Sequence, residues 1–347
     1  MSLKVTTWNI EHANELITGN PTHNIEDRRQ RIRSTLEDID PDILCIQEGP
    51  KGEQAIVDFS TQVLSGRWIP ILLRQVGEAL GERDGDYQIK GTQWIWFLVR
   101  AGLEERCSLQ PPDVWQSFTN VKTWPTHLWG EEESVRHSHY RHPQVLAYDL
   151  GNGRKLELIG VHLKSKINRK PIKRDAEGNL VGEYLSEALR ARIDLATEAR
   201  NVRQYIGVKF DQLAQPAILV MGDCNDGPGH DFFETQYLFF DLISNIQGDV
   251  MLAERFFNHA LFDYPGHLRW SAKYRDEVLN IPASQNPLLL DHILISQPLC
   301  RGELPVVANQ HAGQVEHEAF ERHNAGANSA TRTSDHRPVS CRFDDVI

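Results

Sequence analysis

Polar side chains stand where apolar runs of the chain end, and their types are those that hydrolytic chemistry uses. The run PAILVM at 216–221 leads into GDCNDGPG at 222–229, which places Asp223 and Asn225 directly after it. Burying such groups unpaired would cost several kcal/mol. Because side chains alternate along a strand, these two residues would share one side, with Cys224 on the other. We therefore expect the strand to end at the rim of a sheet, in a site that uses oxygen ligands.

The same arrangement recurs along the chain. The other polar residues next to apolar runs are Asn9 after TTW, Glu48 after ILCIQ, His162 after LIGV, Asp291 after LLL, and Asp335 with His336 before RPVSCRF. A single Asp or Asn in such a place is usually a turn former or a cap. Six endings of this kind need a further explanation, because active sites gather in the loops at one rim of a sheet.

The donor types of this set favour a hard metal ion. Carboxylate and amide oxygens, which suit Mg²⁺ or Mn²⁺ better than zinc, are offered by Glu48, Asp223, Asp335, Asn9 and Asn225. His162 and His336 could hydrogen-bond a phosphate oxygen or move a proton near neutral pH. Phosphodiester hydrolysis requires a cation that neutralises the phosphate and a group that activates water. The residue types therefore indicate metal-assisted hydrolysis of a phosphodiester.

Apolar periodicity predicts the elements that must position these residues. Strands are predicted over 4–10, 42–47, 91–100, 144–150, 155–163, 216–223, 288–296 and 337–343, and helices over 24–39, 53–64 and 183–206. Asn24 is the predicted N-cap of the first helix. Loops are predicted over 74–91, 165–182 and 309–333, which are rich in Gly, Asn, Arg and charge. Strands in hairpin-like succession with few helices favour an α/β or α+β sandwich over a strictly alternating doubly wound sheet.

The bulk composition is that of a globular protein. The chain has 347 residues, of which 40% are hydrophobic and 24% charged, and its formal net charge is −11. An acidic protein needs a local basic patch or a cation to bind a polyanion. Five dispersed cysteines argue against a disulfide framework, and Cys45 and Cys341 are expected to be buried thiols. Without a visible signal peptide or a long apolar span, we expect a cytoplasmic monomer with no stable membrane association.

Six motifs of the chain resemble, in order, those of the endonuclease/exonuclease/phosphatase superfamily, the DNase I-like phosphoesterases. They are TWN (7–9), DPDILCIQE (40–48), GVHLKS (160–165), GDCND (222–226), LDHILIS (290–296) and SDHRPV (334–339). The resemblance implies one catalytic domain over 1–347. It also implies a four-layer α/β sandwich, in which two mainly antiparallel sheets pack face to face with helices outside. The implied activity is that of a phosphoesterase dependent on Mg²⁺ or Mn²⁺.

The resemblance assigns roles to individual positions. Those that match the metal site are Asn9, Glu48 and Asp335. Asp223 and Asn225 match the pair that orients the water nucleophile and contacts phosphate. His336 matches the histidine on the scissile phosphate, and Asp291 the carboxylate that orients its ring. His162 matches a second histidine, which is the general acid for the leaving group in DNase I-like members.

A basic loop follows the strand that ends at His162. The segment KSKINRKPIKR at 164–174 contains six cations and no acid. A solvated loop is the usual explanation for such a run. Its attachment to the strand of His162 nevertheless favours an arm that binds phosphate. The residues predicted to bind the substrate are Lys164, Lys166 and Arg169 from this loop, and Arg141 and His142 from RHSHYRHP.

The function favoured by these patterns is that of a nuclease acting on DNA or RNA. Two alternatives stay open. One is a phosphatase or phospholipase-type phosphodiesterase acting on inositol phosphate or sphingomyelin head groups, and the other is a binding module without catalysis. HEAFE at 317–321 lacks the second histidine of a zinc-binding helix, which argues against a metalloprotease. The sequence leaves open whether cleavage would be endo or exo.

Overall fold

The computed structural model describes residues 2–73, 91–115, 123–127, 132–229, 231–238 and 241–346. Its strands are β1 (Ser2–Asn9), β2 (Ile43–Gly49), β3 (Trp68–Pro70), β4 (Trp94–Arg100), β5 (Cys107–Leu109), β6 (Trp124–His127), β7 (Ser134–His137), β8 (Gln144–Gly151), β9 (Arg154–His162), β10 (Ala217–Asp223), β11 (Phe257–His259), β12 (Ala272–Lys273), β13 (Pro287–Leu288), β14 (Asp291–Ser296), β15 (Val306–Val307), β16 (Gly313–Val315) and β17 (Val339–Asp345). Its α-helices are α1 (His23–Ile39), α2 (Glu53–Gln62), α3 (Glu183–Gln212), α4 (Leu242–Gln247), α5 (Gln297–Cys300) and α6 (His317–Asn324). The loop predicted over 74–91 lies, except for its last residue, outside the described residues.

Two large sheets form the middle of the fold. The strand order is β15–β17–β1–β2–β4–β3 in the first sheet, where β16 also pairs with β17, and β11–β14–β10–β9–β8–β5 in the second. Among the described strands of these sheets, neighbours are antiparallel except for β1 with β2 and β9 with β10. Each sheet therefore has a parallel pair at its centre. The carboxyl ends of both strands in such a pair lie at the same edge of the sheet.

The two sheets pack face to face through alternate side chains of their strands. Val5, Cys45 and Phe97 of the first sheet belong to the same buried cluster as Leu158 and Leu219 of the second. This apolar interior between the sheets is the arrangement of a β-sandwich.

Helices cover the outer faces of both sheets. Trp8 and Leu44, on the outer face of the first sheet, pack with Ile32 of α1. On the second sheet, Val220 packs with Leu195 of α3. The order of layers is therefore helix, sheet, sheet, helix, which confirms the predicted four-layer sandwich with mainly antiparallel sheets. Among the described residues, no helix is both long and apolar enough to cross a membrane.

Several local predictions differ from the structure. Helix α1 is capped by Thr22, whose hydroxyl accepts from the amide of Ile25, and not by Asn24. Helix α3 continues six residues past its predicted end. The segment 309–333, predicted as a loop, contains β16 and α6. The sequence did not predict α6 because only two of its eight residues, Ala319 and Phe320, are buried, which leaves no apolar periodicity to detect.

Gly222 permits the close pairing of β9 and β10 next to Asp223. Its φ is +145°, and a Cβ there would lie 1.9 Å from the carbonyl oxygen of Val161. The atoms nearest to that Cβ all belong to the backbone of Val161, so they cannot move aside without breaking the pairing of the two strands.

The variant Gly222→Ala is expected to lose about 3 kcal/mol of unfolding free energy, because overpacking and backbone strain act together. Thermal and urea unfolding measure the loss. The control is Gly207→Ala in α3, where a Cβ meets no atom within 4 Å and should stabilise the helix by up to about 1 kcal/mol. Equal stability of the two variants would contradict this account of Gly222.

Candidate active site

The carboxyl ends of the two parallel pairs meet at one edge of the sandwich. Asn9 ends β1 of the first sheet and Asp223 ends β10 of the second, and Asn9 Nδ2 donates to Asp223 Oδ2 over 3.0 Å. His162 ends β9, and its Nε2 lies 3.4 Å from the same oxygen. His336 Nε2 lies 4.0 Å from it. Side chains from both sheets therefore surround one carboxylate.

Asp223 is almost completely buried, with 1% of its surface exposed. Its Oδ1 accepts from the amide of Asn225 over 2.8 Å. Asn225 has a φ of +52°, and its Nδ2 donates to the carbonyl of Leu163 over 3.0 Å. Burial raises the pKa of Asp223 and the charge of His336 lowers it, with a net rise to about 6. A carboxyl with such a pKa can take up a proton near neutral pH.

His336 is held by a buried carboxylate on the far side of its ring. Its Nδ1 lies 2.7 Å from Asp291 Oδ2. Burial lowers the pKa of His336, but the charges of Asp291 and Asp223 outweigh that effect and raise the pKa to about 10. The ring is therefore an imidazolium at neutral pH, and both of its nitrogens are donors.

Tyr274 is a member of this site that the sequence reasoning missed. Its hydroxyl donates to Asp335 Oδ2 over 2.7 Å and lies 2.9 Å from His336 Nε2. Because His336 is protonated, the phenol oxygen accepts the Nε2 proton. Tyr274 stands in an irregular segment between β12 and β13, so no strand ending marks it in the sequence.

Glu48 follows Gln47, which stands opposite Asn9 in the parallel pair of β1 and β2. Its Oε2 accepts from Gln93 Nε2 over 2.6 Å and from the amide of His12 over 3.0 Å. Gln93 is a second member that the sequence reasoning missed. The side-chain oxygen of Gln93, Oε1, accepts from the guanidinium of Arg141 over 3.1 Å.

The donor set at this edge fits a divalent cation. Asp223 and Asp291 place carboxylate oxygens beside His336, within 4.8 Å of one another and of its ring nitrogen. The protonated ring has no lone pair for a cation, so the two carboxylates are the candidate ligands here. Asp291 Oδ1 is buried, and it has no hydrogen-bond partner among the described residues. Carboxylate oxygens, which Glu48 and Asp335 add, are the ligands that Mg²⁺ and Mn²⁺ prefer. Asn9 Oδ1, in contrast, already accepts from the amide of Glu11.

Lys166 lies in a second acidic cluster and is paired there. Its Nζ contacts Asp226, lies 3.2 Å from Asp231 Oδ2 and 3.8 Å from Glu234 Oε1. The ammonium group thus compensates charge inside the protein, although the sequence placed it on the substrate. Asp226, which follows Asn225 in GDCNDGPG, is a buried partner in this cluster.

Most other cations of the basic loop also have partners within the protein. Lys170 Nζ lies 2.9 Å from Glu183, and Arg174 donates to the carbonyls of Gly178 and Val278. Lys164 Nζ donates to the carbonyl of Ser165 over 3.4 Å, while its amide donates to Glu198. The exposed cations Arg169 and Lys173 complete the loop.

The two residues predicted from RHSHYRHP have different surroundings. Arg141 is buried, and its guanidinium interacts electrostatically with the carboxylates of Asp223 and Glu48, which places it at the site. His142 instead packs edge-on against Trp115, with ring centroids 5.5 Å apart. Burial lowers the pKa of His142 to about 3, so its ring is neutral. The structure thus brings Arg141, but not His142, to the carboxylates of the site.

Comparisons with known proteins identify the fold. No family model and no curated protein matches the sequence. Truncated TDP2 from Caenorhabditis elegans is 13% identical, with 99% of this chain and 97% of that chain covered and a TM-score of 0.51. An endonuclease/exonuclease/phosphatase from Bacteroides vulgatus is 13% identical, with 99% of both chains covered and a TM-score of 0.48. A D. rerio TDP2 complexed with a single-strand DNA product is 14% identical, with 99% of both chains covered and a TM-score of 0.49.

The likeness to the C. elegans protein extends over nearly the whole chain and shows a shared fold. This chain therefore has the same fold as that TDP2, which agrees with the sandwich that its six motifs predict.

The variant Asp291→Asn is expected to lower the pKa of His336 sharply, because Asp291 is the main group that raises it. Ring NMR titration of the metal-free protein measures this pKa. In the native protein, the ion pair of His336 with Asp291 contributes its full stabilisation at a pH below 6.5, the ordinary pKa of histidine. That stabilisation is lost as the pH rises through the raised pKa of His336, about 10. Asp263→Asn, which faces the exposed His311, is the control, and a His336 pKa that Asp291→Asn leaves unchanged would contradict the assignment.

Proposed function

We propose that this protein is a divalent-metal-dependent phosphodiesterase that hydrolyses its substrate by attack of water. One observation carries the proposal. The buried carboxylate of Asp223 lies within 4.0 Å of both His162 and His336, and Asn9 donates to it. A poised carboxylate between two histidines, beside further hard oxygen donors, is suited to activate water and stabilise a phosphate.

The metal-site residues in this proposal are Glu48, Asp335 and Asn9, where Asn9 would use the lone pair of Oδ1 that the amide of Glu11 leaves free. Asp291 Oδ1 is a further oxygen that is buried without a described partner. A bound Mg²⁺ or Mn²⁺ would neutralise the phosphate and polarise it. Arg141 would place a second positive charge at the same side of the site, because its guanidinium lies near both Glu48 and Asp223.

Asp223 and Asn225 orient the water in this mechanism. With a pKa of about 6, Asp223 is mostly ionised at neutral pH and accepts the proton of the attacking water. His336 donates its Nε2 proton to a phosphate oxygen, which stabilises the charge that develops there. Asp291 holds the ring in that orientation. In the free site this hydrogen bond goes to the hydroxyl of Tyr274, which the phosphate oxygen replaces as the acceptor.

His162 needs the substrate for the role of general acid. Burial and the nearby charge of Arg141 hold its pKa well below 6.5, so the ring is neutral in the free protein. A neutral ring donates a hydrogen bond but is a weak acid. A bound phosphate is anionic, and it would raise the pKa of His162 toward the protonated form that can donate to the leaving group.

The variants Asp223→Asn and His336→Gln are expected to lower kcat on bis(p-nitrophenyl) phosphate by about 100-fold or more, and a chelator should abolish turnover. The control is Glu254→Gln, at an exposed position outside the site. Circular dichroism and melting curves establish that each variant is folded. Turnover that persists in folded Asp223→Asn, or in excess chelator, would overturn the proposed mechanism.

For the substrate, our proposal follows the sequence and places nucleic acid first. The exposed cations Arg169 and Lys173 support it, because they stand on the loop that follows the strand of His162. A second candidate is a compact phosphoester, such as an inositol phosphate or a sphingomyelin head group. It is favoured by the pairing of Lys166, Lys170 and Arg174 within the protein, which leaves little of the loop to track a long polyanion.

The double variant Arg169→Ala/Lys173→Ala separates the two candidates. If nucleic acid is the substrate, we expect KM for single-stranded DNA to rise. The slope of log affinity against log salt concentration should become less negative by about 1.4, because two phosphate contacts are lost. Turnover of DNA, RNA, inositol phosphates and sphingomyelin is measured in parallel. Lys155→Ala, at the opposite end of β9, is the control. Turnover of a compact substrate alone, unaffected by the double variant, would contradict the nucleic-acid assignment.

A further inference from the structure

A groove of about 760 Å³ opens directly beside the proposed catalytic centre. Asn225 and Tyr274 line it, and both also contact the catalytic centre. Its other walls are the beginning of the basic loop, one side of α3, the segment after Asn225, the segment after Tyr274 and the residues around β13. A substituent on a phosphate bound at His336 would therefore extend into this groove.

The groove is lined by apolar groups at its wall and at its rim. Phe232 and Phe233 lie at the wall, edge to face with centroids 5.3 Å apart. At the rim, Ile167 is 74% exposed and Leu279 is 53% exposed. They come from two different loops and flank one depression, so an apolar group in the groove would remove both side chains from water.

The charged groups of the lining do not suit a second phosphate. Three cations and four carboxylates line the groove. Each of the cations already has a partner: Lys166 contacts Asp226, Arg192 contacts Asp231, and Arg275 donates to the side chain of Asn280. An additional anion would therefore meet an excess of carboxylates, whose repulsion disfavours it.

We propose that this groove binds an uncharged, apolar ester group carried by the scissile phosphate, whichever of the two candidate substrates supplies the other ester group. The proposal rests on the proposed phosphodiesterase function and names the chemical class of one of the two ester groups. It adds a specificity site in which Ile167 and Leu279 close over the substituent, and Phe232 packs against it.

The test is calorimetric binding of methyl, butyl and hexyl phosphate to the Mg²⁺-loaded protein. The dissociation constant is expected to fall about fourfold for each added methylene until the groove is filled. Hexane-1,6-diol bisphosphate, which has the same chain and a second phosphate, should bind more weakly than hexyl phosphate. Equal dissociation constants for the three alkyl phosphates, or tighter binding of the bisphosphate than of hexyl phosphate, would overturn the proposal.

Variants assign the effect to the groove. Ile167→Asn and Leu279→Asn, which add no charge, should each flatten the dependence on chain length and leave the affinity for methyl phosphate unchanged. Leu213→Asn is the matched control, because Leu213 is similarly exposed at 52% but does not line the groove. A dependence on chain length that survives both groove variants would overturn the assignment. Binding is measured without turnover, so absent hydrolysis with an intact series would contradict the proposed function and not the groove.

Discussion

The buried carboxylate of Asp223 is the group on which the site depends. Its side chain receives the amide of Asn9 from the opposite sheet, and it lies within 4.0 Å of His162 and His336. A charge in such a position is tolerated only with compensating partners. The donors and the imidazolium that stabilise the carboxylate are the groups that a phosphate would use, so the fold and the chemistry share one set of contacts.

This convergence follows from the strand directions. A parallel pair at the centre of each sheet sends two strand ends to the same edge, and stacking the sheets face to face superimposes those edges. Asn9, Glu48, His162 and Asp223 arrive there because each stands at or near the end of a central strand. Apolar runs that end in polar residues are visible in a sequence, which is why this part of the site could be predicted.

The remainder depends on contacts that local sequence does not encode. Tyr274 reaches His336 from an irregular segment, and no periodicity marks it. Lys166 was placed on the substrate because its neighbours in sequence are basic. Its partner Asp231 is 65 residues away and becomes a neighbour only in the folded chain. The same limitation applies to the groove, whose apolar rim is assembled from two separate loops.

The pairing of β1 with β17 joins two segments that are far apart in the sequence. The indole of Trp8 donates to the carbonyl of His336, which lies 328 residues further along. During synthesis on the ribosome, the edge that holds Asn9 therefore stays incomplete until His336 and β17 have been made. A nascent chain that ends before them cannot assemble the complete site.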